Sequence, residues 1–216
     1  MPNNKTAVWL PRVLFESMLI VVSILLALGL DEWRENREDE EMIQQAMANF
    51  LREIERNRIR VDDAAPFNRG LRDVIIRRQE NKDIVSTTEF IGIVGSYSPV
   101  ALQSTAWETA IATGAFARMD YNLVSALSLT YSLQNRYQQL SRTGMSEIVS
   151  PQYLSNNTLD VAVYNSVQHL NEITDLETEL RVVYGEVLSV VRAAWQENNP
   201  DDLTEDEPLV EAIAHP

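Results

Sequence analysis

The residues that could do chemistry are few and widely spaced. Glu16 sits inside an apolar run, Val13 to Leu30. An ionisable group within a membrane span marks a functional site by default. Glu16 lies only about one turn from the end of the run, where it can instead reach the headgroups or pair with Arg12. Glu108 and Asp120 are carboxylates that could act as acid or base, but only in a pocket that raises their pKa values. Glu108 also suits the first turn of a helix, where the dipole favours an acid, and the adjacent Trp107 suits a core. Tyr131, Gln134 and Tyr137 recur at helical spacing and could hydrogen-bond a ligand or partner, or pack inward with satisfied hydroxyls. His169, beside Gln168 and Glu172, forms no metal-ligand box. The acids of Asp201–Glu207 lack the alternating ligands and the Gly of an EF-hand loop and suit a solvated tail. Asn156-Asn-Thr158 is a glycosylation sequon, and Thr158 also suits the start of a helix. There is no Gly-rich phosphate loop and no nucleophile elbow. The residues therefore predict no catalytic, cofactor-binding or metal-binding set, and a non-enzymatic chain.

Composition narrows the classes further. The chain has 216 residues, no Cys, two His and a formal net charge of −14. Disulfides, thiolate metal sites and Cys nucleophiles are excluded. Residues 1–82 carry 13 Lys or Arg against 14 Asp or Glu, whereas residues 83–216 carry five against 18. Nucleic acid binding needs clustered cations on phosphates, and this acidic chain has none free of interleaved acids. The one cation-rich stretch, Arg52 to Lys82, reads as a solvated helix face with local ion pairs.

The clearest element is the apolar run at 13–30. A bilayer core needs roughly 20 mostly apolar helical residues. Trp9 and Trp33 flank the run where interfacial aromatics belong, so Trp9, Glu16 and Trp33 are the expected membrane anchors. The same residues fit two other readings. Lys5 and Arg12 ahead of the run, with Ala27 and Gly29 near its end, suit a signal peptide. A short apolar helix can also be a buried core helix. We read a single span. Flanking cations tie, with Lys5 and Arg12 before the run and Arg34 and Arg37 after it. The seven acids of Asp31–Glu41 tip the reading to a cytoplasmic N-terminus in an inner membrane, with the bulk of the chain periplasmic.

Beyond the span an all-α chain is expected. Residues 1–12 form a tail, 13–30 the span, 31–64 a polar stalk and long helix, 65–198 a helical bundle and 199–216 an acidic tail. Ile43, Met47, Phe50, Ile54 and Val61 make one apolar stripe, with Asn57 at the missing place. Ala65-Pro66 should end that helix, with a second from Phe67 to about Asn81. Ser86-Thr-Thr-Glu89 has capping-box spacing and predicts a helix over 87–94. Ser104 or Thr105 should cap a helix that Gly114 ends, and Asp120 one that runs to Gly144. The last helix, about 158–198, carries Leu176, Leu180, Val183, Val187 and Val190 alternating by three and four. Such a seam packs on another helix of this chain or of a neighbour, and these five are the expected partner-binding residues. The rods 31–64 and 158–198 are expected to pair antiparallel, and Leu209–Ile213 could dock on a partner.

The segment Phe15-Glu-Ser-Met-Leu-Ile-Val-Val-Ser-Ile-Leu-Leu-Ala-Leu-Gly-Leu-Asp-Glu-Trp-Arg-Glu-Asn-Arg37 resembles the signature of an uncharacterised bacterial family of single-span membrane proteins. In that family a span ends in an acid or Asn, then Trp, then Glu and Arg. Phe50-Leu-Arg-Glu-Ile-Glu-Arg-Asn57 and Ala106-Trp-Glu-Thr-Ala110 resemble later family segments. The resemblance implies topology and no activity. Together these readings favour an accessory or scaffold subunit, with the lipid bilayer and other membrane-complex subunits, or a second copy of itself through helix packing, as expected partners; an energy-transducing complex, respiratory or photosynthetic, is one host that fits. Two alternatives are a self-associating membrane-anchored sensor and a ligand-binding or enzymatic helical domain.

Overall fold

The computed structural model describes residues 9–198, with side chains over 14–196. Trp9 opens the first helix, but its side chain lies outside the described ones. The acidic tail 199–216, with its Leu209–Ile213 segment, also lies outside. The described chain is all-helical: α1 (Trp9–Glu80), α2 (Thr87–Val94), α3 (Thr105–Thr113), a 3₁₀ turn (Ala115–Arg118), α4 (Tyr121–Ile148) and α5 (Leu159–Asn198). Two compact units divide within α1, one over residues 1–43 and one over residues 44–216.

In the second unit, α1 pairs antiparallel with α5. Asn68 bonds Glu177, Arg72 bonds Thr174, and Asp62 pairs with Arg181, so positions fall along one helix as they rise along the other. α4 runs parallel to α1, through Glu53–Tyr131 and Asn57–Gln134. Near the C-terminal end of α1, Leu71 and Ile75 pack with Phe90 and Val94 of α2, Met145 of α4, and Leu159, Val163 and Leu170 of α5.

Two helix ends differ from expectation, each for a packing reason. α1 continues through Pro66 to Glu80. A mid-helix Pro costs about 3 kcal/mol through its lost donor and ring clash. Here Asp62–Arg181 and Asn68–Glu177 fasten α1 to α5 on both sides of the Pro, while Pro66 itself faces solvent. The separate helix expected from Phe67 is therefore the end of α1. Similarly, α4 passes through Gly144 to Ile148. A Cβ on Gly144 would fall on the imidazole of His169, so this Gly admits a close approach by α5 and is no helix stop.

Four further ends follow their sequence signals. Ser86 Oγ accepts from Glu89 N at 3.2 Å, while Glu89 Oε2 accepts from Val85 N at 3.3 Å. Gly114, at φ +76°, ends α3, a left-handed conformation that Gly adopts without strain. Asp120 Oδ1 accepts from the backbone N–H groups of Asn122 and Leu123. α5 begins at Leu159, one residue after Thr158, whose hydroxyl accepts from Ser155 N at 2.9 Å.

Candidate functional site

The first unit contains the one membrane-span candidate among the described residues. An 18-residue window of α1 has mean hydropathy 2.1 with no residue buried. From Leu14 to Leu30 the large apolar side chains are exposed on all sides of the helix. A helix apolar all round needs an apolar environment, and this one is long and apolar enough to cross a membrane. Ser23 Oγ donates to Leu19 O at 2.7 Å, so its hydroxyl is satisfied within the helix, as lipid would require. Just beyond, Arg37 lies 5.8 Å over the Trp33 ring, a cation–π distance. Arg34–Glu38 and Arg37–Glu41 make i,i+4 pairs at 3.4 and 3.5 Å, all exposed. Glu16 stands at the N-terminal edge of the apolar run, and Trp33 is exposed just past its other edge.

In the second unit, the chemistry-bearing groups converge on the interior. The gap at Asn57 in the apolar stripe is filled by a polar cluster. Asn57 is fully buried, and its Nδ2 donates to Gln103 O (2.7 Å) and Gln134 Oε1 (3.0 Å). Its Oδ1 accepts from Gln103 N (2.9 Å). Gln134 Nε2 donates to Gln103 O, and Tyr184 OH donates to Gln134 Oε1 at 2.8 Å. This cluster straps the segment before α3 onto α1, α4 and α5. A fully satisfied buried network fixes one arrangement, whereas a broken one is costly.

One turn earlier, Glu53 is buried. Its Oε2 accepts from Ala106 N at 3.0 Å and its Oε1 accepts from Tyr131 OH at 2.7 Å. Ser104 precedes α3 but makes no side-chain capping bond; it donates to Glu108 Oε1 at 2.8 Å instead. Glu53 of α1 thus serves as the cap of α3, a negative group at the positive end of a helix. Tyr131 also stacks on Trp107 (5.3 Å), which tilts against Phe116 (4.6 Å). Burial and the Glu53 carboxylate push the Tyr131 hydroxyl far above its usual pKa.

Three turns beyond Asn57 on α1, Asn68 meets Glu177 and Tyr137. Asn68 Nδ2 and Tyr137 OH both donate to Glu177 Oε1, at 2.6 and 3.1 Å. Burial raises the carboxyl of Glu177 above the usual carboxylate range, against the opposing hydrogen bonds of Asn68 and Tyr137 and the charge of Arg69. His169, two turns before it on α5, is pushed down by burial, with Glu172 opposing. Tyr97 packs edge-on to His169 and shares a 2.9 Å hydrogen bond with Ser141.

Tyr131, Gln134 and Tyr137 are therefore brought together, all buried, and their polar atoms are met by the chain's own groups. Glu108 stays at the surface, lining a shallow groove of about 390 Å³ with Trp107, Ser128, Ser132 and Asn135. Asp120 is occupied as a cap, and no group of three or more His, Asp or Glu among the described residues could hold a metal ion. The partner-binding seam needs correction. Leu176, Leu180 and Val187 are buried within the chain's own bundle and are not available to a partner. Val183 is half-buried and Val190 is 41% exposed. The stripe that is buried runs Ile173, Glu177, Leu180, Tyr184, Leu188, Val191, Trp195. Its spacing is that of a straight helix, which drifts off a strict seven-residue repeat.

Glu53, Asn68, Glu177 and Tyr184 were not legible as a set. The available signal was a polar residue at a stripe position, which Asn57, Asn68 and Glu177 each provide. No family model, curated protein or solved structure matches this chain.

Proposed function

We propose that this chain is a single-pass, membrane-anchored accessory or scaffold protein without catalytic activity of its own, which holds a helical bundle at a membrane for other proteins to bind. The observation that carries the reading is the unburied apolar helix at 14–30, joined to a bundle whose interior polar groups largely satisfy one another. Such interior networks specify a rigid shape, which is what a scaffold requires. Apolar surface also remains on the bundle. Tyr153, Val161 and Tyr164 are each more than half exposed, and the first two border a groove of about 550 Å³ with Ile148. Clustered exposed apolar side chains of this kind mark contact surfaces. We read the membrane as an inner membrane with the bundle on the periplasmic side, a reading supported by the seven acids of Asp31–Glu41 where the flanking cations tie. An energy-transducing complex is one host that fits.

The test is purification of a tagged, native-level copy in gentle detergent, with intact mass, native sizing and mass spectrometry of co-purifying chains. The expected outcome is an uncleaved chain, resistant to alkaline extraction, recovered at fixed stoichiometry with other membrane proteins. A mass showing cleavage after Ala27 or Gly29 would replace the span by a signal peptide. Recovery alone as a homodimer would favour the self-associating sensor.

A further inference from the structure

The joint at Asn68, Tyr137 and Glu177 has two loose ends that one proton would tie. Glu177 is fully buried and Asn68 nearly so. Asn68 Nδ2 and Tyr137 OH both donate to Glu177 Oε1. Glu177 Oε2 and Asn68 Oδ1 are buried and have no hydrogen-bond partner. Both orphans are acceptors when the Glu is ionised, and they belong to two residues that already bond each other. A carboxylate has no donor to offer, whereas a carboxylic acid has one O–H. An acid and a primary amide can pair head to head, with amide N–H on the acid carbonyl oxygen and acid O–H on the amide oxygen. The observed division fits this pair. Oε1 accepts twice, as a carbonyl oxygen can, and Oε2 is left to be the hydroxyl.

We propose that Glu177 is a proton-storage site, held in the folded bundle as the neutral acid in a two-point pair with Asn68, and that loss of this proton loosens the joint between α1, α4 and α5. The step is a simple ionisation: the O–H bond at Oε2 breaks and the proton passes to solvent. What remains is a buried anion, with Glu177 Oε2 and Asn68 Oδ1 both acceptors that no donor meets, an arrangement that costs free energy. The inference does not depend on the membrane reading.

The neighbours on every packed element are consistent with a neutral acid. α1 presents Asn68 and, acting through space, Arg69, the one cation that opposes the effect of burial on Glu177. Arg72 is engaged with Asp73 and Thr174, and Arg181 with Asp62. α4 presents Tyr137 and Ser141, the segment after α2 presents Tyr97, and all of these are uncharged at neutral pH. Burial raises the Tyr97 and Tyr137 hydroxyls further. On α5 itself, His169 is held toward its neutral form by burial.

The sign of the pH effect follows. A raised carboxyl pKa stabilises the fold fully below the unfolded value of 4.5, and this stabilisation is lost as pH rises through the folded value. His169 works the other way, costing stability as pH falls below 6.5. The two slopes oppose each other between those values, so wild-type stability alone would mask the effect. Glu177→Gln separates them, because its NH₂ keeps a donor toward Asn68 and does not titrate. Full-length wild type and E177Q should be unfolded in matched detergent at a series of pH values. The ratio of their folding equilibrium constants should fall about tenfold per pH unit above 4.5 until the folded pKa is reached. A ratio that does not change with pH would overturn the proposal. Infrared spectroscopy of full-length wild type with ¹³C-labelled Glu provides a readout that does not need the variant to fold. As pH is raised above 4.5, a protonated-acid carbonyl band should outlast those of the ordinary carboxyls and then vanish reversibly. Loss of all protonated-acid bands together with the ordinary carboxyls would equally overturn it.

Discussion

Glu53 shows how one buried side chain can set a neighbouring helix in place. Its two oxygens take one donor each, from Ala106 N and Tyr131 OH, and it is nearly inaccessible to solvent. Glu53→Ala would strand both donors and leave a cavity. Each unpaired buried donor costs about 1–3 kcal/mol, so a loss of about 2–6 kcal/mol is expected for the two. At 2–4 °C per kcal/mol for a domain of this size, that is a melting shift on the order of 10 °C. Ser104→Ala should cost about 0.5 kcal/mol or less, because Ser104 occupies the capping position without making the capping bond. Thermal unfolding of the full chain in detergent measures both. A larger loss for Ser104→Ala than for Glu53→Ala would mean that Ser104, and not Glu53, caps α3. The pairing could not be read from the sequence, since Glu53 and Ala106 lie 53 positions apart. The local signal pointed to Ser104 or Thr105, and the competing long-range carboxylate has no local mark.

At the level of elements, most of the architecture was legible because local physics and packing agree there. Ser86, Gly114 and Asp120 each start or stop a helix for reasons contained within four residues. Pro66 and Gly144 were misleading because their local preferences are overridden from a distance, by α5 on both sides of Pro66 and by the His169 ring at Gly144. The α5 seam was half legible. The heptad pattern found Leu176, Leu180 and Val187, but it carried on to Val190 where the straight helix has already turned that position outward. A pair of substitutions tests this drift. Leu180→Asp places a charge at a fully buried position and should unfold the bundle, costing more than 4 kcal/mol. Val190→Asp should change stability by about 0.5 kcal/mol or less. Far-UV circular dichroism and melting temperature distinguish the two. A stable L180D bundle would mean that the seam is not the internal core of this chain, and a collapsed V190D would restore the heptad register.

At the scale of the molecule, the division after Ile43 separates two physical problems. The first unit holds the apolar helix at 14–30, the membrane-span candidate, with its large side chains exposed. The second holds the core, the polar clusters and the helix caps described above, all between residues 44 and 198. Residues 44–216 carry 14 Lys or Arg against 24 Asp or Glu, a net charge that favours solubility. They are also numerous enough to bury a core unaided. A fragment of residues 44–216 should therefore remain in solution, show strongly helical circular dichroism and melt in one cooperative transition. The full chain should sediment with membranes and require detergent for release. If the apolar helix at 14–30 were instead part of the bundle's core, removing it would expose the surface that it covered, and the fragment would aggregate or lose its cooperative transition. The absence of burial along that helix argues for the first outcome. A soluble, cooperative fragment beside a membrane-bound parent would leave 14–30 a single role, as the anchor of a bundle that folds without it.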